Sequence, residues 1–403
     1  MINLETPKKF VPLVSQAHQV ATEVFRPISR KYDLAEHEYP KELDMLAALI
    51  DGMSEGSDSG AGAAGVRRDK SSGGEAVNRN GTNMSTVLSV IELCWGDVGL
   101  LLTMPRQGLG NSAIASVASD EQLQRFEGRW AAMAITEPEA GSDSAAIRTT
   151  AVLDGDAYVL NGEKIYVTSG ERAELVVVWA TLDRSKGRAA IKSFVVERSN
   201  PGLKLERLEH KLGIRASDTA AFRLEDCRVP KEDMLGSAEV DAKQGFGGAM
   251  QTFDNTRPLV AGMAVGLTRA CLEETREQLE RAGVTIDYDA PALSQHAAAA
   301  RFLEMEADYE SARLLTLQAA WMADNSKPNS LQASMAKAKA GRTCVDVALG
   351  CVELCGSVGY GEGELLEKWA RDAKILDIFE GTQQIQLLIV ARLLLGKTSA
   401  DLK

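Results

Sequence analysis

A carboxylate set between an aromatic residue and a glycine, Phe379-Glu380-Gly381, is followed at once by Thr382 and by the apolar residues Ile385, Leu388, Ile389 and Leu393 at helical spacing. Threonine caps helix N-termini and glycine permits close backbone approach. A glutamate between two amphipathic helices reads in isolation as a solvated loop residue, but this setting makes Glu380 a candidate for proton transfer. A second polar segment, Ala134-Ile-Thr-Glu-Pro-Glu-Ala-Gly-Ser-Asp143, has its backbone fixed by Pro138 and Gly141 and offers the hydroxyls of Thr136 and Ser142 to a ligand. Gly108-Leu-Gly-Asn-Ser-Ala113 matches a dinucleotide-binding pattern, yet Pro105-Arg106-Gln107 precedes it instead of a strand and no βαβ unit surrounds it, which excludes NAD. The six cysteines and four histidines lack zinc-like spacing, so neither a metal site nor a disulfide framework is expected, and Cys351 and Cys355 read as core thiols.

Three regions must position these groups. From Thr6 to about Trp130 apolar residues recur at three and four, as in Leu43, Leu46, Leu49 and Ile50, which predicts helices interrupted by a Gly/Ser-rich loop at 54–83. From about Ala131 to Gly236 the period changes to two. Tyr158 and Leu160 lead into Asn161-Gly162, read as a hairpin turn, with Ile165 and Val167 following, while Leu175–Ala180 is apolar enough to be buried on both faces. From 241 to 403 long helical patterns return at about Met250–Ala282, Gln295–Asp324, Ser330–Cys355 and Thr382–Leu395, with Pro258 expected to kink the first. The fold class is therefore mainly α with a central β-barrel: an N-terminal helical domain (1–130), a middle β domain (131–240) and a C-terminal four-helix bundle (241–403).

At 403 residues the chain can bury several packed layers, and its 45% hydrophobic and 25% charged residues are ordinary for a globular protein. A net charge of −12 without a Lys/Arg block argues against nucleic acid and against a membrane surface as partners. Glu5 and two lysines occupy the first ten residues where a signal peptide needs an apolar run, which points to a reducing, cytoplasmic home.

The 134–143 segment resembles the signature of the acyl-CoA dehydrogenase family. Asn161-Gly-Glu-Lys-Ile-Tyr-Val-Thr-Ser-Gly170, Lys211-Leu-Gly-Ile-Arg-Ala-Ser-Asp-Thr219, Arg228-Val-Pro230, Asp254-Asn-Thr-Arg257, Arg371-Asp-Ala-Lys374 and Phe379-Glu-Gly-Thr382 follow in the family's order. The resemblance covers residue 85 to the C-terminus well and the first 84 residues weakly. It implies FAD as cofactor, an acyl-CoA as substrate, a place in fatty acid or lipid β-oxidation, and an electron-transferring flavoprotein as electron acceptor. It further implies Glu380 as the base that removes the α-proton, with its own backbone N–H and a ribityl hydroxyl of FAD as donors to the thioester oxygen. By the same resemblance Thr136 meets the pyrimidine end of the flavin and Thr168 reaches N5. Tyr166 stands against the ring where the family usually has Trp, and Thr382 with Gln384 receives the diphosphate. Ser142, Arg257 and Gly381 fall to the acyl-CoA.

Two departures concern the part of the FAD site that one subunit gives to its neighbour. The family's Arg-x-x-Phe-Gly appears as Arg281-Ala-Gly-Val-Thr285, and its Gln-x-x-Gly-Gly as Glu353-Leu-Cys-Gly-Ser357. The expectation is a tetramer in which this chain pairs with a different but related subunit. An oxidase or a non-catalytic half-site subunit are the alternatives.

Overall fold

A computed structural model describes residues 6–47, 81–105, 109–240, 247–398 and 401, with backbone alone for 247–255. Most of the Gly/Ser-rich stretch 54–83 lies outside them. The chain opens with α1 (Val11–Val20), which passes through a π-helical turn at Ala21–Phe25 into α2 (Arg26–Leu34). After the undescribed segment come α3 (Thr82–Gly96), α4 (Val98–Thr103), α5 (Leu109–Val117) and α6 (Asp120–Arg125). Asp97, between α3 and α4, accepts the Leu100 N–H and so caps α4.

Eight strands follow: β1 (Ala131–Ala134), β2 (Thr150–Asp154), β3 (Ala157–Thr168), β4 (Leu175–Thr181), β5 (Ile191–Glu197), β6 (Leu203–Leu208), β7 (Thr219–Pro230) and β8 (Met234–Leu235). They form one sheet in the order β6-β7-β3-β2-β4-β5-β8, with β1 parallel to β4. Among the described residues no pairing joins β6 to β8, so the sheet is open and the word barrel describes it only loosely. Strand β4 is buried along its whole length, as expected from its apolar run: Val176, Val178 and Ala180 enter one core, Leu175, Val177 and Trp179 another.

The hairpin turn lies six residues before the expected place. Asp154 pairs with Ala157, so Gly155-Asp156 makes the turn, with Gly155 at φ 64°. Asn161-Gly162 instead sits within β3, at a bulge against β7. Asn161 is held there by Asp226, whose N–H donates to Asn161 Oδ1 at 2.8 Å, and a Cβ on Gly162 would lie 2.5 Å from Thr149 Oγ1. The glycine serves close strand approach, not chain reversal.

Helices resume with α7 (Gly247–Arg281), α8 (Ala297–Asp324), α9 (Ser330–Tyr360), α10 (Leu366–Leu376) and α11 (Gln383–Leu394). The short α10 is an element that the four expected helices do not include. Helix α7 continues through Pro258. Helix α9 is long and apolar enough by composition to cross a membrane, but it packs against α7, α8, α10 and α11 and buries the charged Lys337. One core joins the first and last regions, from Phe25, Ile91 and Leu100 to Leu267, Phe302, Cys344 and Trp369.

Beneath that core runs a buried ionic chain. The Lys368 ammonium donates to Asp97 at 2.6 Å and to Asp372 at 2.5 Å, all three side chains being almost fully enclosed. Asp372 also accepts the Ile214 N–H at 2.5 Å, and a Cβ on Gly213 would lie 2.5 Å from the Arg371 backbone. The Lys211–Thr219 and Arg371–Lys374 motifs are therefore two halves of one contact. Removing one partner from such a buried set costs about 3–5 kcal/mol.

Candidate active site

Glu380 follows α10 in a left-handed conformation, φ 57°, and Gly381 continues at φ 90°. A non-glycine residue there stores about 1–3 kcal/mol, which persists only where the surroundings hold it. Here three donor contacts do so. The fully buried Gln386 amide donates to the carbonyls of Glu380 (3.0 Å) and Gly381 (3.3 Å), and the buried Lys337 ammonium donates to Gly381 O at 2.7 Å. Thr382 then caps α11, accepting the Ile385 N–H, while Gln384 stands exposed in the first turn.

The Glu380 carboxylate accepts a hydrogen bond from Thr256 Oγ1 at 2.7 Å. Burial pushes its pKa up, and the opposing influences are that hydrogen bond and the charges of Arg257 and Lys337. Burial also pulls Lys337 down to about 8. The result is a carboxylate less acidic than usual, held by a hydroxyl and faced by two cations, which makes it a stronger base than a solvated glutamate. Thr256 and Arg257 are both buried on α7.

Thr136, Tyr166 and Thr168 form a second cluster, where β1 meets β3. The Thr136 carbonyl accepts the Ile165 N–H at 3.0 Å. The β3–β7 register slips between Lys164 and Val167, and within this bulge Tyr166 takes φ 57° and turns 61% of its surface to solvent. Thr168 and Thr136 are partly exposed beside it. Ser142 is exposed further along the signature segment.

Sequence reading missed what anchors this second cluster. Glu137 is buried, and its carboxylate accepts from Lys164 Nζ (2.8 Å), Thr149 Oγ1 (2.6 Å), Thr149 N (3.0 Å) and Arg148 N (2.6 Å). Lys164 is fully buried, which lowers its pKa to about 8 against the attraction of Glu137, and it also reaches Ile135 O at 3.1 Å. The pair fixes both residues flanking Thr136 to β3. Gly110, in the rejected dinucleotide pattern, has a role in packing: its Cβ would strike the Ala131 and Ala132 carbonyls, so it lets α5 lie against β1.

Both clusters are tied to the 211–219 loop. Asp218 O accepts the Ser169 N–H at 3.1 Å beside Thr168, while Ile214 holds Asp372 on α10, which leads into Phe379-Glu380. Ser169 Oγ also donates to Leu102 O of α4 at 3.4 Å, which brings the Leu100–Leu102 segment to this end of the sheet. Arg281 is not brought into either cluster. It lies 25 helical residues beyond Thr256, roughly 37 Å at 1.5 Å per residue, exposed and paired with Glu277 at 3.1 Å. Glu353 is exposed three residues before Gly356, which breaks α9 at φ 56°.

Comparison with known proteins agrees with this architecture. The family model described as acyl-CoA dehydrogenase, middle domain, matches residues 132–227, and that described as acyl-CoA dehydrogenase, C-terminal domain, matches 243–395. The chain belongs to the acyl-CoA dehydrogenase family. It is 34% identical to the short-chain specific acyl-CoA dehydrogenase of Clostridium acetobutylicum over 82% of this chain and 86% of that one. It is 33% identical to the mitochondrial short-chain specific enzyme of Bos taurus over 96% and 90%. Among solved structures, butyryl-CoA dehydrogenase from Megasphaera elsdenii superimposes with a TM-score of 0.80 at 29% identity, covering 98% of this chain and 100% of that one. A chain from the structure of the electron transferring flavoprotein of Acidaminococcus fermentans gives 0.78 at 29% identity, covering 98% and 100%.

Proposed function

We propose that this chain is an FAD-dependent acyl-CoA dehydrogenase in which Glu380 removes the α-proton of an acyl-CoA thioester to give the trans-2-enoyl-CoA. The observation that carries the reading is the strained, clamped Glu380 with its hydroxyl partner and raised pKa. A merely solvated loop glutamate needs none of this.

The residues present fit a flavin. An exposed aromatic ring at Tyr166 lies in a bulge beside the part-exposed Thr136 and Thr168, offering a flat face and two hydroxyls. Thr382 and Gln384 at the start of α11 supply a helix N-terminus for the diphosphate, which is how an acidic chain can bind phosphate. Bound FAD supplies the hydride acceptor for the β-carbon. The chain's own residues do the rest. Glu380 takes and then holds the proton, its backbone N–H donates to the thioester oxygen, and Thr256 orients the carboxylate. Arg257, Ser142 and Gly381 contact the acyl-CoA.

Electrons leave to an electron-transferring flavoprotein, and the setting is fatty acid or lipid β-oxidation in the cytoplasm. Three units, 1–130, 131–240 and 241–403, make up the subunit. The subunit works in a tetramer, where Arg281, too distant for its own chain's site, meets a neighbour's FAD. Its altered surroundings and Glu353 favour pairing with a related but different chain. Anaerobic mixing with acyl-CoAs of increasing length, with flavin absorbance as the readout, tests the reading. Bleaching with at least one is expected, and none at any length overturns it. Full, tight FAD occupancy in a homotetramer overturns the mixed assembly.

A further inference from the structure

We propose that Glu36, His37 and His210 form a binding site for one divalent ion of the zinc class, which clamps the N-terminal helices to the loop following β6. The two histidines are far apart in sequence, so local spacing gives no sign of them. The fold brings one ligand atom from each of the three residues within 4.8 Å of the others.

His37 follows the end of α2 in a left-handed turn, φ 70°, and both of its ring nitrogens are buried without a hydrogen-bond partner. A neutral imidazole so placed has an unused lone pair, and imidazole nitrogen is the commonest side-chain ligand of metal ions. Its ring meets that of His210 edge-on, with centroids 4.9 Å apart. His210 Nδ1 lies 2.9 Å from Glu36 Oε2, and Glu36 Oε1 accepts the Lys211 N–H at 3.1 Å, which orients the carboxylate. The Lys211 ammonium, which donates to Ser217 O at 2.8 Å, places a positive charge near His37, and it is opposed by the negative charges of Glu36 and Glu171.

Two imidazoles and one carboxylate are a donor set for zinc, with water in the fourth position. Metal–ligand bonds of about 2.0–2.1 Å in a tetrahedron put ligand atoms about 3.4 Å apart. His210 Nδ1 and Glu36 Oε2 already stand 2.9 Å apart, so the adjustment needed falls on the separations that involve His37, within the 4.8 Å spread. The clamped loop carries Ile214 and Asp218, which reach α10 and β3, so the ion would stiffen the scaffold that both clusters share.

The test uses the untagged full chain, stripped with a chelator and desalted, then titrated with zinc chloride in a calorimeter and melted with and without the metal. One ion per chain and a higher melting temperature are expected, with affinity falling at least about tenfold in His210→Ala and in His37→Ala. His296→Ala, at the exposed start of α8, should bind as the wild type does. His210→Ala removes an exposed side chain and keeps the test valid if His37→Ala folds poorly. No saturable binding, or equal affinity in wild type and His210→Ala, overturns the proposal.

Discussion

Replacing Lys164 by methionine keeps most of the side-chain volume and deletes the cation that faces Glu137 at the centre of the sheet domain. Glu137 would retain three donors, Arg148 N, Thr149 N and Thr149 Oγ1, but its charge would stay buried without its counter-ion. Breaking one side of such a pair costs about 3–5 kcal/mol, and the complete enclosure of Lys164 puts this site in that range instead of the 0–1 kcal/mol of a surface pair. Adding Glu137→Gln removes the stranded charge while keeping an oxygen for the Thr149 hydroxyl. The double variant should therefore be more stable than Lys164→Met alone by roughly 1–3 kcal/mol. Equilibrium urea unfolding followed by tryptophan fluorescence, which samples Trp179 in β4 and Trp130 in the core beneath the sheet, measures both differences. FAD retention should fall alongside, because the pair fixes the residues on either side of Thr136. A Lys164→Met variant within about 1 kcal/mol of wild type, with no recovery in the double variant, would show that the buried pair does not stabilise the sheet.

Three further outcomes concern the base. Glu380 must be ionised to act, so activity rises as pH climbs through its pKa, and burial places that rising limb above the usual glutamate range. Thr256→Val deletes a hydrogen bond that favours the ionised form and should move the limb up by about one pH unit, the equivalent of about 1.4 kcal/mol; an unmoved limb in kcat counts against the contact. Lys337→Met removes a charge that also favours ionisation and leaves Gly381 O with the Gln386 amide as its donor, so the limb should again move up and kcat fall, whereas an unchanged pH profile would make Lys337 purely structural. Gly381→Ala drives a Cβ into the Gln386 amide at φ 90°; it should cut kcat about 100-fold by displacing Glu380, read at saturating substrate on protein that still carries FAD.

The order of helices, strands and helices was legible because the period of apolar residues changes from about 3.6 to 2 and back. Strand β4 could be read as doubly buried because nothing polar interrupts it before Thr181. The turn was misread because Asn161-Gly162 and Gly155-Asp156 both carry a hairpin-turn signal, and the approach of Thr149 makes Gly162 a bulge residue while Gly155 takes the turn. The motif residues of the site stood in the sequence, but the groups that hold them did not stand out. Lys164 shares strand parity with Tyr158 and Leu160, which marks it as inward-facing, and a lysine in that phase signals a buried partner. Lys337 likewise shares the helical phase of Ala333, Ala340 and Cys344. The partners themselves, Glu137 and Gly381 O, come from distant segments, and no local pattern encodes that pairing.

Whether the carboxylate of Glu380 takes the proton is decided by anaerobic reduction of Glu380→Gln. The amide keeps the size of the side chain and can still hydrogen-bond Thr256, so FAD binding and its spectrum should be unchanged. Flavin bleaching by an acyl-CoA that reduces the wild type should slow by about 10²–10⁴-fold, the contribution of a positioned base. Bleaching at a rate close to that of the wild type, in a variant that binds FAD and acyl-CoA normally, would contradict it.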